Sequence, residues 1–467
     1  MTASDRRPLT AWVTTALLAA GCAAAGAWAV PAWQDAHNLQ EAAAAPAITA
    51  SPVALAEADA GTPLDATALS TELDSVLNSL GQGVVSAQVL NAESGQSLYA
   101  RDAQASRTPA SNMKLLVDYA LLTTAPQTRF TTSIDLNDDS TLTLVAGGDT
   151  LLAPGHSDPT AVMGHAGIET LAERTIAALT EQGMSSKTLT LNLDTTIFSG
   201  SSLNPEWAQE DIDSGFISAV TPLAFFSHYS PNGGGTAASG SRPANAPAEV
   251  QQTLVDALNR LGADAGLTFT AGEQVSTPSS GREIAAVQSA TAAQQSALMM
   301  QESDNSLAET LGRNLSVATG GDGSTQGAIS AIHDALASAG LPTNYTQVDL
   351  NGLSMNNKVS NELLTAIALR AVTGNTAERL TLQGLPVAGY SGTLGLATRF
   401  NDADEVGGRG VVRAKTGTLN SVLSLTGYTV TESGRVLVFS VIMNDLDDTE
   451  AAKNTVDRFA ATLSKQQ

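Results

Sequence analysis

Two residues of one short segment have the types and the spacing of a nucleophile and its base. Ser111 and Lys114 stand three positions apart in RTPASNMKLLVD, directly before an apolar run. Side chains at positions i and i+3 of a helix lie on one face, so the amine could reach the hydroxyl. A serine that caps a helix beside a solvated lysine has the same spacing. The pair therefore needs partners elsewhere in the chain before it indicates catalysis.

Two further motifs follow the pair. The sequence AKTGTL at 414–419 contains the single Lys-Thr-Gly of the chain. Ser-x-Asn occurs at 303–305 and also at 202–204, 230–232 and 354–356. The copy Ser303-Asp304-Asn305 is the best placed, because it lies between two helical patterns.

A lysine can act as a base only if it loses its proton. A free lysine has a pKa of about 10.4, so only about one molecule in 2,500 is unprotonated at neutral pH. Burial beside Met113 and Leu115, the positive end of a helix dipole and the ammonium of Lys415 would each lower the pKa of Lys114. An unprotonated Lys114 could then activate Ser111.

The three motifs, in this order, resemble the active-site set of penicillin-binding proteins and serine β-lactamases. Within that superfamily the chain is similar to the serine-type D-alanyl-D-alanine carboxypeptidases/endopeptidases. These are low-molecular-mass penicillin-binding proteins with a large insertion between the first two motifs, and here 192 residues separate Ser111 from Ser303. The resemblance runs from about residue 70 to the end. It is carried by PASNMKLL, VAGGDT, ESDNSLAE, DLNGLSMNNKVS, SGTLGLATRF and VRAKTGTL. One departure is Leu350-Asn351, where the family more often has Gly-Ser.

The resemblance implies a role for each motif residue. Ser111 would form an acyl-enzyme, Lys114 would be its general base, and Ser303 would relay a proton to the departing amine. Asn305 would hold Lys114 and the substrate amide.

The third motif and a nearby segment complete the candidate site. Lys415, Thr416, Gly417 and Thr418 would bind the substrate and its terminal carboxylate. The backbone N–H groups of Ser111 and Thr418 would form the oxyanion hole. Three residues of DLNGLSMNNK are further candidates, although turn chemistry explains them equally well; they are Asp349, Ser354 and Asn357.

Composition excludes several other classes of function. The net charge of −23 argues against nucleic acid or an anionic membrane surface as a partner. A single cysteine, Cys22, excludes a disulfide framework and a cysteine-based zinc site. The five histidines have no HExxH-type spacing. We therefore expect no metal and no cofactor.

The N-terminal segment predicts export. Residues 8–34 contain no charged residue and follow Arg6 and Arg7, so residues 1–34 are a signal peptide or a membrane anchor. The membrane would be contacted only through this segment, and the rest of the chain would be extracytoplasmic. Residues 35–67, rich in Ala, Pro and Thr, predict a disordered linker.

The remaining pattern predicts an α/β fold. A helix over residues 70–81, a hairpin and the Ser111 helix open the ordered region, and a three-stranded meander with a final helix closes it. If both ends share one antiparallel sheet flanked by helices, residues 68–130 and 286–467 form a penicillin-binding transpeptidase/β-lactamase-like domain. Residues 131–285, mostly β/α, would then be an insertion. Residues 230–249 within it predict a flexible loop.

These observations together predict an exported serine D-Ala-D-Ala carboxypeptidase. It would remove the terminal D-alanine of peptidoglycan stem peptides, with DD-endopeptidase cleavage as a second candidate reaction, and β-lactam antibiotics would inhibit it. Two alternatives stay open, a serine β-lactamase and a catalytically weak wall-binding scaffold.

Overall fold

The computed structural model describes residues 64–231 and 240–467. The predicted signal peptide or anchor at 1–34 and most of the predicted linker lie outside these residues. Within the described part of the chain, no helix has the length and apolarity needed to cross a membrane.

The described residues form eleven α-helices. They are α1 (Ala66–Asn78), α2 (Lys114–Thr124), α3 (Ile168–Glu181), α4 (Gln209–Asp213), α5 (Ala246–Gly262), α6 (Ala292–Glu302), α7 (Asn305–Ala318), α8 (Thr325–Ser338), α9 (Asn361–Thr373), α10 (Thr381–Gly384) and α11 (Thr449–Ser464).

The ten strands of the described chain form two five-stranded sheets. They are β1 (Val84–Asn91), β2 (Ser97–Arg101), β3 (Thr131–Asp138), β4 (Thr141–Val145), β5 (Thr188–Asp194), β6 (Thr268–Val275), β7 (Arg282–Gln288), β8 (Arg413–Leu419), β9 (Val422–Val430) and β10 (Val436–Asn444).

The first sheet joins the two ends of the described chain. Its order is β2-β1-β10-β9-β8, and all neighbours are antiparallel. Strand β10 is apolar along most of its length because helices cover both of its faces. Phe439 belongs to the core around Phe459 of α11, whereas Val438 packs against Ala368 of α9. Strand β8, which carries Lys-Thr-Gly, lies at one edge.

The second sheet takes all its strands from residues 131–288. Its order is β6-β5-β4-β3-β7, with β4, β5 and β6 parallel and the other pairs antiparallel. Alternate leucines of β5, such as Leu191, are buried in a core shared with Leu171 of α3 and Leu254 of α5. The inserted region therefore has a sheet and a core of its own. The exact domain boundaries stay a prediction.

A core formed mainly by helices positions the Ser111 segment. Residues 114–122 of α2 are all buried, because helices α6, α7, α8 and α9 contribute to the same core. The run KLLVDYALL thus needs no polar face. An apolar helix that begins at Lys114 places the amine inside the protein.

Two local predictions differ from the structure. Helix α1 spans Ala66–Asn78 rather than 70–81, because the side chain of Asp65 caps its start by accepting from the backbone N–H groups of Thr67 and Ala68. The predicted flexible loop at 230–249 overlaps α5, whose start is capped by Asn245. Residues 232–239 of the predicted loop lie outside the described part of the chain.

Candidate active site

A short 3₁₀ turn, Ala110–Met113, presents Ser111 directly before α2. Ala110 is buried and has a φ of 48°, an uncommon conformation for a residue with a Cβ atom. The turn is fixed to strand β9, because the Oγ of Ser424 donates to the carbonyl of Pro109 at 2.6 Å. Ser111 itself is only partly buried, so a substrate can reach its hydroxyl.

The Nζ atom of Lys114 is fully buried and has three oxygen neighbours. It donates to the side-chain oxygen of Asn305 at 2.8 Å and to the backbone carbonyl of Asn351 at 2.6 Å, and it lies 2.9 Å from Ser111 Oγ. The first two oxygens can only accept hydrogen bonds. An unprotonated amine has two N–H bonds and one lone pair. Both N–H bonds are thus used, and the lone pair is left for the Ser111 hydroxyl.

Burial lowers the pKa of Lys114 to about 8, while the charges of Asp349, Asp304 and Glu309 oppose this decrease. Burial also lowers the pKa of Lys415 well below its usual value, with a further contribution from the charge of Lys114. The sequence predicts that burial, the helix dipole and the ammonium of Lys415 all lower the pKa of Lys114. In the structure, burial is the main cause of this decrease.

The second motif forms the junction between α6 and α7. Ser303 ends α6 with a φ of 56°, and Asp304 caps α7 by accepting from the N–H of Leu307 at 2.9 Å. Asn305 is therefore the first residue of α7. Its Oδ1 accepts from Lys114, and its Nδ2 donates to the carbonyl of Phe216 at 3.0 Å.

Strand β8 brings the third motif to the second. Lys415 is fully buried, and its Nζ donates to Ser303 Oγ and to the carbonyl of Thr416, both at 2.8 Å. The hydroxyl of Thr416 is 2.7 Å from that of Thr393, whereas Thr418 is exposed. Thr393 was not predicted as a site residue, although it lies in the family-like segment SGTLGLATRF.

Gly417 allows β8 to approach the Ser111 turn. A Cβ atom at this position would lie 2.3 Å from Ser424 Oγ and 2.7 Å from the carbonyl oxygen of Pro109. Any larger residue would push the strand away from the turn.

The further candidates Asp349, Ser354 and Asn357 are buried together in one turn. Asp349 accepts from the N–H of Ser354 at 2.7 Å and from Nδ2 of Asn357 at 2.6 Å. It also accepts from the indole N–H of Trp207 at 3.2 Å. These contacts hold the turn together, and none of them involves Ser111 or Lys114. The turn reaches the site through its own backbone, the Asn351 carbonyl.

Glu309 is a buried residue of the site that sequence reasoning missed. Its Oε1 accepts from the N–H of Leu350 at 2.8 Å and from the backbone N–H and side-chain amide of Asn351 at 3.2 and 2.8 Å. Burial raises its pKa to about 8, and the charge of Asp349 contributes. Glu309 follows Asn305 by four positions on α7, a spacing that places both on one helix face. That spacing was the available signal.

Two side-chain clusters among the described residues could share a cation, and neither includes a motif residue. They are His156, Glu169 and Glu173, and Asp402, Asp404 and Glu405. Glu169 is already paired with Arg260 at 2.5 Å. Neither cluster contributes to the site described above.

The assembled groups are suited to acyl transfer. A partly exposed hydroxyl faces the lone pair of a buried amine, and a second buried amine contacts a second hydroxyl nearby. A neutral base next to a nucleophile is the arrangement that activates serine without histidine.

Comparison with known proteins agrees with this chemistry. The model of the D-Ala-D-Ala carboxypeptidase 3 (S13) family matches residues 69–254 and 231–466. A carboxypeptidase of Mycobacterium tuberculosis is 34% identical over 391 residues, which cover 82% of this chain and 80% of that protein. Carboxypeptidase DacB of Mycolicibacterium smegmatis is 33% identical over 412 residues, covering 85% and 83%.

The fold has solved counterparts. Penicillin binding protein 4 from Haemophilus influenzae superimposes with a TM-score of 0.66 at 19% identity, covering 84% of this chain and 98% of that one. A second structure of it, complexed with a β-lactam, gives a TM-score of 0.60 at 17% identity, covering 84% and 99%. The predicted fold class is confirmed.

The family prediction made from the three motifs is also confirmed, and the reaction is that of a serine-type D-Ala-D-Ala carboxypeptidase, a hydrolase. The chain belongs to the D-Ala-D-Ala carboxypeptidase 3 (S13) family.

Proposed function

We propose that Ser111 is the acylated nucleophile and Lys114 its general base. The observation that carries this assignment is the set of partners around Lys114 Nζ. Asn305 Oδ1 and the Asn351 carbonyl accept hydrogen bonds from the two N–H groups of the unprotonated amine, and Ser111 Oγ lies 2.9 Å from Nζ, next to the lone pair. With a pKa of about 8, roughly one molecule in ten carries an unprotonated Lys114 at pH 7.

The reaction then proceeds in two halves. Ser111 Oγ attacks the carbonyl carbon of the penultimate D-alanine, and its proton passes to Lys114. The C–N bond breaks, and the terminal D-alanine leaves with a proton relayed through Ser303. Water deprotonated by Lys114 hydrolyses the ester, and Ser111 regains its proton. Backbone N–H groups of Ser111 and Thr418 stabilise the oxyanion of both steps.

The substrate's terminal carboxylate binds next to Lys415. The pKa of Lys415 is lowered mainly by burial, and an incoming carboxylate favours the charged form of a buried amine. Binding of the peptide therefore raises the pKa of Lys415. Thr416 and Thr418 add hydroxyl donors, and Gly417 lets the strand lie close enough to Ser111.

We assign peptidoglycan stem peptides as substrates and β-lactams as acylating inhibitors, with DD-endopeptidase cleavage of cross-links as a second reaction of the same site. The Haemophilus influenzae neighbour is a penicillin-binding protein crystallised with a β-lactam. These substrates lie outside the cytoplasm, so we propose an extracytoplasmic location reached through the N-terminal segment.

One experiment tests the assignment. Intact-mass measurement after benzylpenicillin treatment should show one added penicilloyl group, and peptide mapping should place it on Ser111. The Ser111→Ala variant should neither be labelled nor release D-alanine from a D-Ala-D-Ala peptide. Labelling at another residue would overturn the assignment. Rapid turnover of the penicilloyl group would favour a β-lactamase, and no D-alanine release by the wild type would favour a scaffold.

A further inference from the structure

The orientation of the Asn305 side-chain amide decides whether Lys114 can serve as a base. With Oδ1 toward Lys114, the Asn305 amide accepts a hydrogen bond from the amine, and the lone pair of Lys114 Nζ stays available to Ser111. If the amide were turned by 180°, its NH₂ group would face Lys114. The lone pair would then be used to accept that hydrogen bond, and Ser111 would lose its base.

The group that fixes this orientation is the backbone carbonyl of Phe216. It accepts from Asn305 Nδ2 at 3.0 Å, and a carbonyl oxygen can only accept. Phe216 follows α4 in the inserted region. Phe216 as a whole is 57% exposed, so packing of its own side chain contributes little to holding the carbonyl in place.

Arg242 holds this part of the backbone against the second motif. Its Nε donates to the carbonyl of Gly215 at 3.0 Å, next to Phe216. Its Nη1 donates to the carbonyl of Ser227 and to Ser306 Oγ, both at 2.9 Å. The guanidinium also lies 3.9 Å from the ring centre of Tyr229. One planar group thus connects the Phe216 turn, a second backbone segment and the start of α7.

We propose that Arg242 is a positioning residue of the reaction: by fixing the Gly215–Phe216 backbone, it orients the Asn305 amide and so directs the lone pair of Lys114 toward Ser111. This inference rests on the proposed roles of Ser111 and Lys114. It gives the inserted region a part in catalysis, because both Phe216 and Arg242 belong to it.

A double-mutant cycle tests the proposal. The rate constant for acylation by a chromogenic cephalosporin is measured for wild type, Arg242→Ala, Asn305→Ala and the double variant. General-base catalysis contributes about 10²–10⁴-fold, so partial loss of the base should slow Arg242→Ala about 10- to 100-fold. In the Asn305→Ala background the same change should slow acylation less than about twofold, because the amide that Arg242 orients is absent.

The pH profile gives a second readout that a purely structural role would not change. The ammonium form of Lys114 needs three acceptors, and a turned amide removes one. In Arg242→Ala the rate at high pH should fall, and the midpoint of the rise in rate with pH should move to lower pH.

Gly215→Ala provides an independent variant if Arg242→Ala does not fold. Gly215 has a φ of 74°, and no atom lies within 4 Å of a Cβ added there, so the substitution strains only the local backbone. It should slow acylation in wild type but not in Asn305→Ala.

One control variant leaves every contact of Arg242 intact. Arg260→Ala removes an arginine of the same inserted region, one that pairs with Glu169. It should stay within about threefold of wild type, as expected for a variant that leaves the Asn305 amide in place.

The outcomes are distinct. Equal slowing by Arg242→Ala in both backgrounds, or no slowing in either, would overturn the proposal. Failure of the proposed function itself would appear separately, as acylation that survives in Ser111→Ala.

Discussion

Replacing Asp304 by Asn should make the enzyme faster at low pH. Asp304 caps α7 through Oδ1, which accepts from the N–H of Leu307. Asn caps helices as well as Asp does, so the fold should be retained. The charge, however, is lost, and this charge raises the pKa of Lys114. The variant should therefore have a larger fraction of unprotonated Lys114.

The magnitude depends on pH in a defined way. With a pKa of about 8, Lys114 is unprotonated in about 1% of molecules at pH 6 and in most molecules at pH 9.5. An opposite charge in direct contact changes such an equilibrium about 10- to 1,000-fold. Asp304 is not one of the three contacts of Lys114 Nζ. We thus expect about a three- to tenfold higher acylation rate at pH 6 and a ratio near one at pH 9.5.

Stopped-flow acylation by a chromogenic cephalosporin between pH 5.5 and 9.5 measures this ratio. Asp448→Asn is the matched control, because Asp448 caps α11 in the same way and accepts from Glu450 and Ala451. Its ratio to wild type should stay at one throughout. A ratio for Asp304→Asn that does not change with pH, or that falls below one at pH 6, would refute Lys114 as the titrating base.

Three further substitutions test other parts of the site. Lys114→Met should abolish acylation. In urea titrations, the unfolding free energy of wild type relative to this variant should increase by about 3 kcal/mol from pH 7 to pH 10.5. The folded pKa of Lys114, about 8, lies below the unfolded value of 10.5, so wild type gains stability as pH rises through this range. A difference independent of pH would contradict the lowered pKa. Glu309→Gln keeps an acceptor oxygen and should retain acylation within about threefold at pH 7. Glu309→Ala leaves the buried N–H groups of Leu350 and Asn351 unpaired, so it should cost about 2–4 kcal/mol in thermal unfolding and slow acylation at least about tenfold. Equal effects of both variants would show that the acceptor oxygen is not what matters. Gly417→Ala should lower stability by about 1–3 kcal/mol and slow acylation, because the added Cβ would overlap Ser424 Oγ. An unchanged melting temperature would show that strand β8 can move freely.

The sequence was most informative where the determining pattern is local. The three-residue spacing of Ser111 and Lys114 is sufficient to place both groups on one helical turn, and the structure has them 2.9 Å apart. The apolar run after Lys114 also indicated burial of α2. The motif order identified the family, whose fold then follows. The catalytic roles remain our proposals.

The sequence was least informative where contacts join distant segments. Arg242 lies in a stretch whose Gly- and Ser-rich composition predicts a flexible loop, yet its guanidinium contacts Gly215, Ser227 and Ser306. A single arginine with several acceptors can order such a stretch, and no local pattern records where those acceptors come from. The charge around Lys114 is also non-local, because the carboxyl groups of Asp349, Asp304 and Glu309, which all raise its pKa, come from separate segments of the chain.

The inserted region contacts both groups that accept hydrogen bonds from Lys114. The two carbonyl oxygens that take its N–H bonds belong to Asn305 and to the turn around Asn351. The inserted region contacts both, through the Phe216 carbonyl on Asn305 and through the Trp207 indole on Asp349 of that turn. Displacing this region would therefore loosen both acceptors together and free the lone pair of Lys114 to turn away from the nucleophile.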